Sequence, residues 1–190
     1  MAAIPKIDCT ITFLEMLEAP SSVPPQPQSG LTLALLKVER PSVAFYRFLY
    51  NTVGSDWYWF ERRLLSDSRL AAIVQDPKVE LWVLYGGGQP AGYAELDFRQ
   101  LESKDTVDLG YFGLLPDFIG RGLGPYLLGA ALERAWSKGP KRVTVNTNSL
   151  DHPRALPLYQ RFGFAPIRRE QRRFDDPWAT GVMGQPLASR

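Results

Sequence analysis

Ile119-Gly120-Arg121-Gly122-Leu123-Gly124 is the stretch on which the reading of this chain turns. It follows an apolar run, Val107 to Leu114, that reads as a strand, and a loop opened by Pro116. After it, Leu123, Leu127, Leu128, Ala131, Leu132, Ala135 and Trp136 recur at the spacing of one helix face. A strand, a glycine-rich turn and a helix N-terminus together form an anion site. Backbone N–H groups point out of the first turn, and the helix dipole adds partial positive charge. Glycines allow a phosphate to approach the backbone closely. The segment therefore predicts a phosphate-bearing ligand.

Two common phosphate loops do not fit. A P-loop needs Lys-Ser or Lys-Thr after its glycines, and none follows here. A dinucleotide fingerprint needs G-x-G-x-x-G and an acidic residue about 20 positions later. Here the glycines fall at 120, 122 and 124, and the carboxylate Glu133 lies inside the helix.

A second segment narrows the choice. Leu114-Leu115-Pro116-Asp117-Phe118-Ile119-Gly120-Arg121-Gly122-Leu123-Gly124 resembles the acetyl-CoA loop of the GNAT N-acetyltransferase superfamily, written Q/R-x-x-G-x-G/A. Arg154-Ala155-Leu156-Pro157-Leu158-Tyr159-Gln160-Arg161-Phe162-Gly163-Phe164 resembles the family's later motif, N-x-x-A-x-x-L-Y-x-x-x-G-F. The two occur in the right order and at about the right separation. The resemblance covers Val79 to Phe174, and the first 75 residues share it only loosely. Three positions depart from the pattern: Ile119 replaces Gln or Arg, His152 replaces the asparagine, and Pro125 removes one N–H from the helix start. Proline suits a first helical turn.

The resemblance implies an α+β fold of GNAT type, three α/β/α layers around a mixed, mostly antiparallel sheet. It also implies acetyl-CoA as cofactor, held by Leu114, Leu115, Gly120, Arg121, Gly122, Leu123, Gly124 and Pro125, with Tyr159 near the sulfur. The whole chain, 1–190, is expected to form one domain. Residues 1–75 would cover the acceptor, and residues 79–174 would form the acetyl-CoA-binding core.

Composition limits the alternatives. With 190 residues, 45% hydrophobic and 22% charged, the chain can bury one core. A net charge of +2 gives no electrostatic case for nucleic acid. The single cysteine, Cys9, permits no disulfide framework, and the single histidine, His152, permits no multi-histidine metal site. Neither a leader nor a bilayer-spanning run is visible, so no membrane partner and a cytoplasmic location are expected. A homodimer is the family's frequent assembly.

Strands are expected at Thr10–Leu17, Leu31–Glu39, Val79–Tyr85, Ala91–Phe98, Val107–Leu114, Arg142–Asn146 and Phe164–Phe174. Ala19–Gly30, with four prolines, reads as a loop, and the tail after Asp175 as irregular. Helices are expected from Pro41 to Val53, from a Ser66 or Asp67 cap to Val74, from Leu123 to Trp136, and from Asp151 or His152 onward.

Acetyl transfer from a thioester requires a neutral amine, donors for the carbonyl oxygen and help for the departing thiolate. By resemblance, Tyr159 is the acid, and the Leu114 N–H is the oxyanion donor on a strand that splays from its neighbour. Asp108 and Glu95 are the candidate bases, directly or through water. His152 has two readings open, a ligand contact or a cap on the following helix. Tyr46, Tyr50, Trp57 and Glu95 are the candidate acceptor-binding residues, from a segment rich in aromatics. Arg168, Arg169, Arg172 and Arg173 read as a solvated strand edge. The expected acceptor is a small-molecule amine, attacked directly, because no activated cysteine or serine is visible. A protein amine and a non-catalytic acyl-CoA-binding module are the alternatives.

Overall fold

A computed structural model describes residues 3–21, 27 and 30–184. Most of the Ala19–Gly30 loop lies outside the described residues. Seven strands form one sheet: β1 (Lys6–Met16), β2 (Leu33–Val38), β3 (Val79–Gly86), β4 (Gln89–Asp97), β5 (Thr106–Leu114), β6 (Arg142–Asn148) and β7 (Ala165–Asp175). Their spatial order is β2-β3-β4-β5-β6-β1-β7. Every pairing is antiparallel except β5 with β6. The sheet is therefore mixed and mostly antiparallel. The N-terminal strand lies between β6 and β7, so both ends of the described chain meet in one sheet.

Local chemistry sets most boundaries. Gly87 and Gly88 have φ of +60° and +85°, the left-handed pair that a two-residue hairpin turn between β3 and β4 requires. Helix α1 (Val43–Val53) begins where the Ser42 hydroxyl accepts from the Phe45 N–H at 3.2 Å. Ser66 caps α2 (Asp67–Val74) in the same way, accepting from the Arg69 N–H. A one-turn helix, α3 (Leu101–Lys104), has no counterpart in the sequence reading. It is too short to show a period. Helix α4 (Leu123–Trp136) buries Leu123, Leu127, Leu128, Ala131, Leu132 and Ala135, the expected stripe. Strand β1 begins four residues earlier than expected, because Lys6 to Cys9 pair with Arg172 to Asp175.

The start of α5 (Ala155–Arg161) corrects the expected Asp151 or His152. Both residues are used in a preceding turn. Asp151 accepts from the Asn148 N–H, and His152 Nδ1 accepts from the Arg154 N–H. Helices cover both faces of the sheet. A Cβ on Gly113 would run into Val53 of α1, whereas Leu114 approaches Gly124 of α4. Successive residues of a strand point to opposite faces, so α1 and α4 lie on opposite sides. This gives three layers, α/β/α.

Candidate active site

The parallel pairing of β5 with β6 runs only from Thr106–Arg142 to Leu109–Val145. Beyond it the strands part. Asn146 to Asn148 stay paired with β1, and Tyr111 to Leu114 stay paired with β4. The split coincides with a bulge: Glu95 opposes Tyr111 and Leu96 opposes Leu109, leaving Gly110 as the extra residue. A bulge bends its strand, here away from β6. The gap opens into a cavity of about 620 Å³ that passes between the two faces of the sheet. Trp59, Tyr111 and Gly113 line it on the α1 side, and Leu123, Gly124, Leu158 and Tyr159 on the α4 side.

Backbone donors face this gap. Leu115 N–H donates to Ala91 O at 2.9 Å. Antiparallel ladders alternate, so the Leu114 N–H, opposite Gly92, turns away from β4 and toward the gap. Helix α4 starts at the same place, and no side chain caps it. Gly120 and Gly122 take φ of +84° and +74°, and no atom lies within 4 Å of where their Cβ would be. The first turn is thus bare backbone with unsatisfied N–H groups, as phosphate binding needs. Pro125 supplies no N–H there, and Ile119 gives the wall an apolar side chain. Leu115 and Arg121 do not line the cavity. Leu115 packs in the core, and the exposed Arg121 lies over the Phe118 ring at 5.5 Å.

Tyr159 projects from α5 with its ring packed between Phe112 and Phe164. The residue lines the cavity, and its hydroxyl has no protein partner among the described residues. Burial, and then the Asp151 charge, push the phenol well above its ordinary range. It therefore keeps its proton and acts as a donor.

His152 also lines the cavity, edge-on to Trp57 with ring centroids 4.8 Å apart. Its Nδ1 accepts a backbone N–H, which leaves Nε2 to carry the proton in the neutral ring. Burial, then Arg154, lower its pKa. A depressed folded pKa means the neutral ring's contribution to stability holds above the unfolded pKa and is lost as pH falls through the folded one. His152→Asn keeps an acceptor for Arg154 N–H but does not titrate. Between pH 7 and pH 5, thermal melts should show the wild type losing stability relative to this variant; parallel melting curves would contradict that.

The remaining predicted residues are placed elsewhere. Tyr46 and Tyr50, expected at the acceptor, are 0% and 1% exposed and do not line the cavity. Tyr46 donates to Glu95 Oε2 at 2.6 Å, and the Tyr50 hydroxyl accepts from the Arg62 N–H. Glu95, 2% exposed, is also outside the cavity. Its Oε1 receives Arg62 Nη2 at 2.6 Å. Burial raises its pKa, and Arg62 and the Tyr46 hydroxyl pull it back. Asp108 likewise lies off the cavity and accepts from Thr144 Oγ1 at 2.6 Å. Burial raises its pKa as well. Both carboxylates sit beneath Gly110, whose missing Cβ position is 3.2 Å from Glu95 Oε1 and 3.9 Å from Asp108 Oδ2. Trp57 does line the cavity.

Three residues escaped the sequence reading. Arg62 lies 33 positions before its partner Glu95, and no local pattern marks it. Asp151 lines the cavity, accepting from Trp59 Nε1, Thr147 Oγ1 and the Asn148 N–H. Glu61 lines it too, in a 3₁₀ turn after the aromatic segment. Trp57 against His152 and Trp59 against Asp151 tie the Trp57–Trp59 loop to the segment after β6, where it lines the cavity. Gly54 makes room for that loop, since a Cβ there would collide with Trp59.

The mixed sheet split between two parallel strands, the uncapped glycine-loop helix and the buried phenol thus meet at one cavity. The chain belongs to the acetyltransferase (GNAT) family, whose model matches residues 45–164. An uncharacterized N-acetyltransferase of Methanocaldococcus jannaschii is 24% identical over 114 residues, covering 58% of this chain and 50% of that protein. The mycothiol acetyltransferase of Corynebacterium aurimucosum is 35% identical over 89 residues, covering 45% of this chain and 29% of that protein. The chain thus spans half or less of these relatives. A GCN5-related N-acetyltransferase from Sphaerobacter thermophilus shares the fold, with a TM-score of 0.60 at 20% identity, covering 88% of this chain and 51% of that one.

Proposed function

We propose that this chain is an acetyl-CoA-dependent N-acetyltransferase that acetylates a primary amine of a small molecule by direct attack. The observation that carries the reading is one cavity that joins the uncapped N-terminus of α4, the outward Leu114 N–H and the Tyr159 hydroxyl. Bound acetyl-CoA would supply an activated acetyl thioester. The amides of Leu123 and Gly124, beside Gly120 and Gly122, would hold its pyrophosphate. The Leu114 N–H stabilises negative charge on the carbonyl oxygen during attack. Tyr159 donates a hydrogen bond to the departing sulfur.

An attacking amine must lose its proton, since a lysine-like amine has a pKa of about 10.4. Glu95 is tied to Arg62 and is a poor acceptor for that proton. Among the described residues, Asp108 has only Thr144 as a side-chain partner and no cation paired with it, which leaves it the freer carboxylate to take that proton. The proton reaches it past Gly110 through water. The aromatic Trp57–Trp59 wall of the cavity favours a small amine over a peptide, which would need an open groove. Among the described residues, no helix is long and apolar enough to cross a membrane.

Isothermal titration with acetyl-CoA tests the reading. The wild type should bind saturably, and Gly122→Glu should weaken binding by at least about 100-fold. It puts a carboxylate against phosphate and a side chain at a left-handed φ. Equal affinity for the two proteins would remove the glycine loop from the site.

A further inference from the structure

The charges lining the cavity differ between the two faces of the sheet. On the α4 side, Arg154 and Arg161 of the α5 segment line it, and neither makes an ion pair among the described residues. On the α1 side, Glu61 lines the cavity beside Trp57 and Tyr111. Its one polar contact is a long one, the Tyr50 hydroxyl at 3.4 Å. The cations near Glu61 are all committed elsewhere. Arg62 is paired with Glu95, Arg63 donates to the carbonyls of Trp59, Asn51 and Met183, and Arg172 is paired with Glu170. Asp151 adds a second negative charge, but three hydrogen bonds occupy its two oxygens. Glu61 is therefore the carboxylate with open acceptor capacity, and Trp57 on the same cavity wall is a ring type that attracts cations through its face.

We propose that Glu61 is a specificity-determining residue that holds a second cationic centre on the acceptor, so that the acceptor class is a small diamine or polyamine. This rests on the amine-acetylation reading given above. One amine of such a molecule stays protonated against Glu61 and the Trp57 ring, since Arg62 already covers the Tyr111 ring at 5.0 Å. The other lies toward Gly110 and loses its proton before attack. A monoamine can pair with Glu61 or present its amine for attack, but not both at once.

The test uses 1,5-diaminopentane and n-pentylamine with the full chain, wild type and Glu61→Gln. Glu61 is exposed, so the variant keeps its fold, which a thermal melt verifies. Thiol release from acetyl-CoA gives KM for each amine, and titration in the presence of CoA gives Kd. The wild type should prefer the diamine in kcat/KM by about tenfold or more, and Glu61→Gln should remove that preference. Equal wild-type affinity for the two amines, or an equal effect of the substitution on both, overturns the proposal. Glu61-dependent diamine binding without thiol release would sustain it while overturning acetyl transfer. Thiol release with no diamine preference would do the reverse.

Discussion

Tyr159→Phe should lower kcat by about 100-fold and leave acetyl-CoA affinity within about twofold. The substitution removes one oxygen that has no protein hydrogen bond among the described residues, so no buried partner is stranded. The ring stays packed against Phe112 and Phe164, with centroids 6.1 and 5.8 Å away. Stability should be nearly unchanged, so a loss of turnover reports on chemistry rather than folding. Burial and the Asp151 charge hold the phenol far above the ordinary thiol pKa of about 8.5. Complete proton transfer to the thiolate is therefore uphill, and the hydroxyl acts as a hydrogen-bond donor to developing charge. That places the effect at the low end of acid–base contributions. It also predicts that kcat shows no loss from tyrosine ionisation up to about pH 10. An unchanged kcat in the variant, with acetyl-CoA still bound, would remove Tyr159 from the chemistry.

What the sequence discloses here is what depends on neighbours along the chain. The Gly87-Gly88 hairpin, the Ser42 and Ser66 caps and the α4 stripe each follow from contacts within a few residues. So does the glycine turn leading into α4. The acceptor side is different. Tyr46 and Tyr50 look like pocket residues in an aromatic segment, yet α1 turns both inward. Helical periodicity identifies a buried face, and it does not say which buried residues border a cavity. Glu95 and Asp97 share a strand face, which sequence shows, but only the fold brings Arg62 onto Glu95. The bulge at Gly110 is equally silent, because an extra residue is visible only against its partner strand. The turn at Asp151 was missed for the same reason. Trp59, its partner, comes from 92 residues away.

The second large effect concerns stability. Arg62→Met should destabilise the fold by about 3–5 kcal/mol, because it leaves a carboxylate buried without its cation. For a chain of this size that is a fall in Tm on the order of 10 °C. Glu95 has a side chain 3% exposed, and Arg62 one 12% exposed, so water cannot replace the lost partner. Tyr46 would remain as a donor, which is too little for a full charge. Without Arg62, burial acts alone and drives the Glu95 pKa further up. A raised folded pKa gives stability that is complete below the unfolded value and lost as pH rises through the folded one. The deficit against wild type should therefore be small near pH 4.5 and large at pH 8. Urea unfolding of both proteins at the two pH values measures it. Arg62→Met/Glu95→Leu should recover much of the loss, since an apolar pair strands no charge. If the deficit did not depend on pH, Glu95 would not be the group left unpaired. The same experiment separates two roles for Glu95. A base would lose kcat on Glu95→Gln in a protein of ordinary stability. A structural partner of Arg62 would lose stability, with kcat changed by less than about tenfold. The 2.6 Å contacts to Arg62 and Tyr46 predict the second outcome.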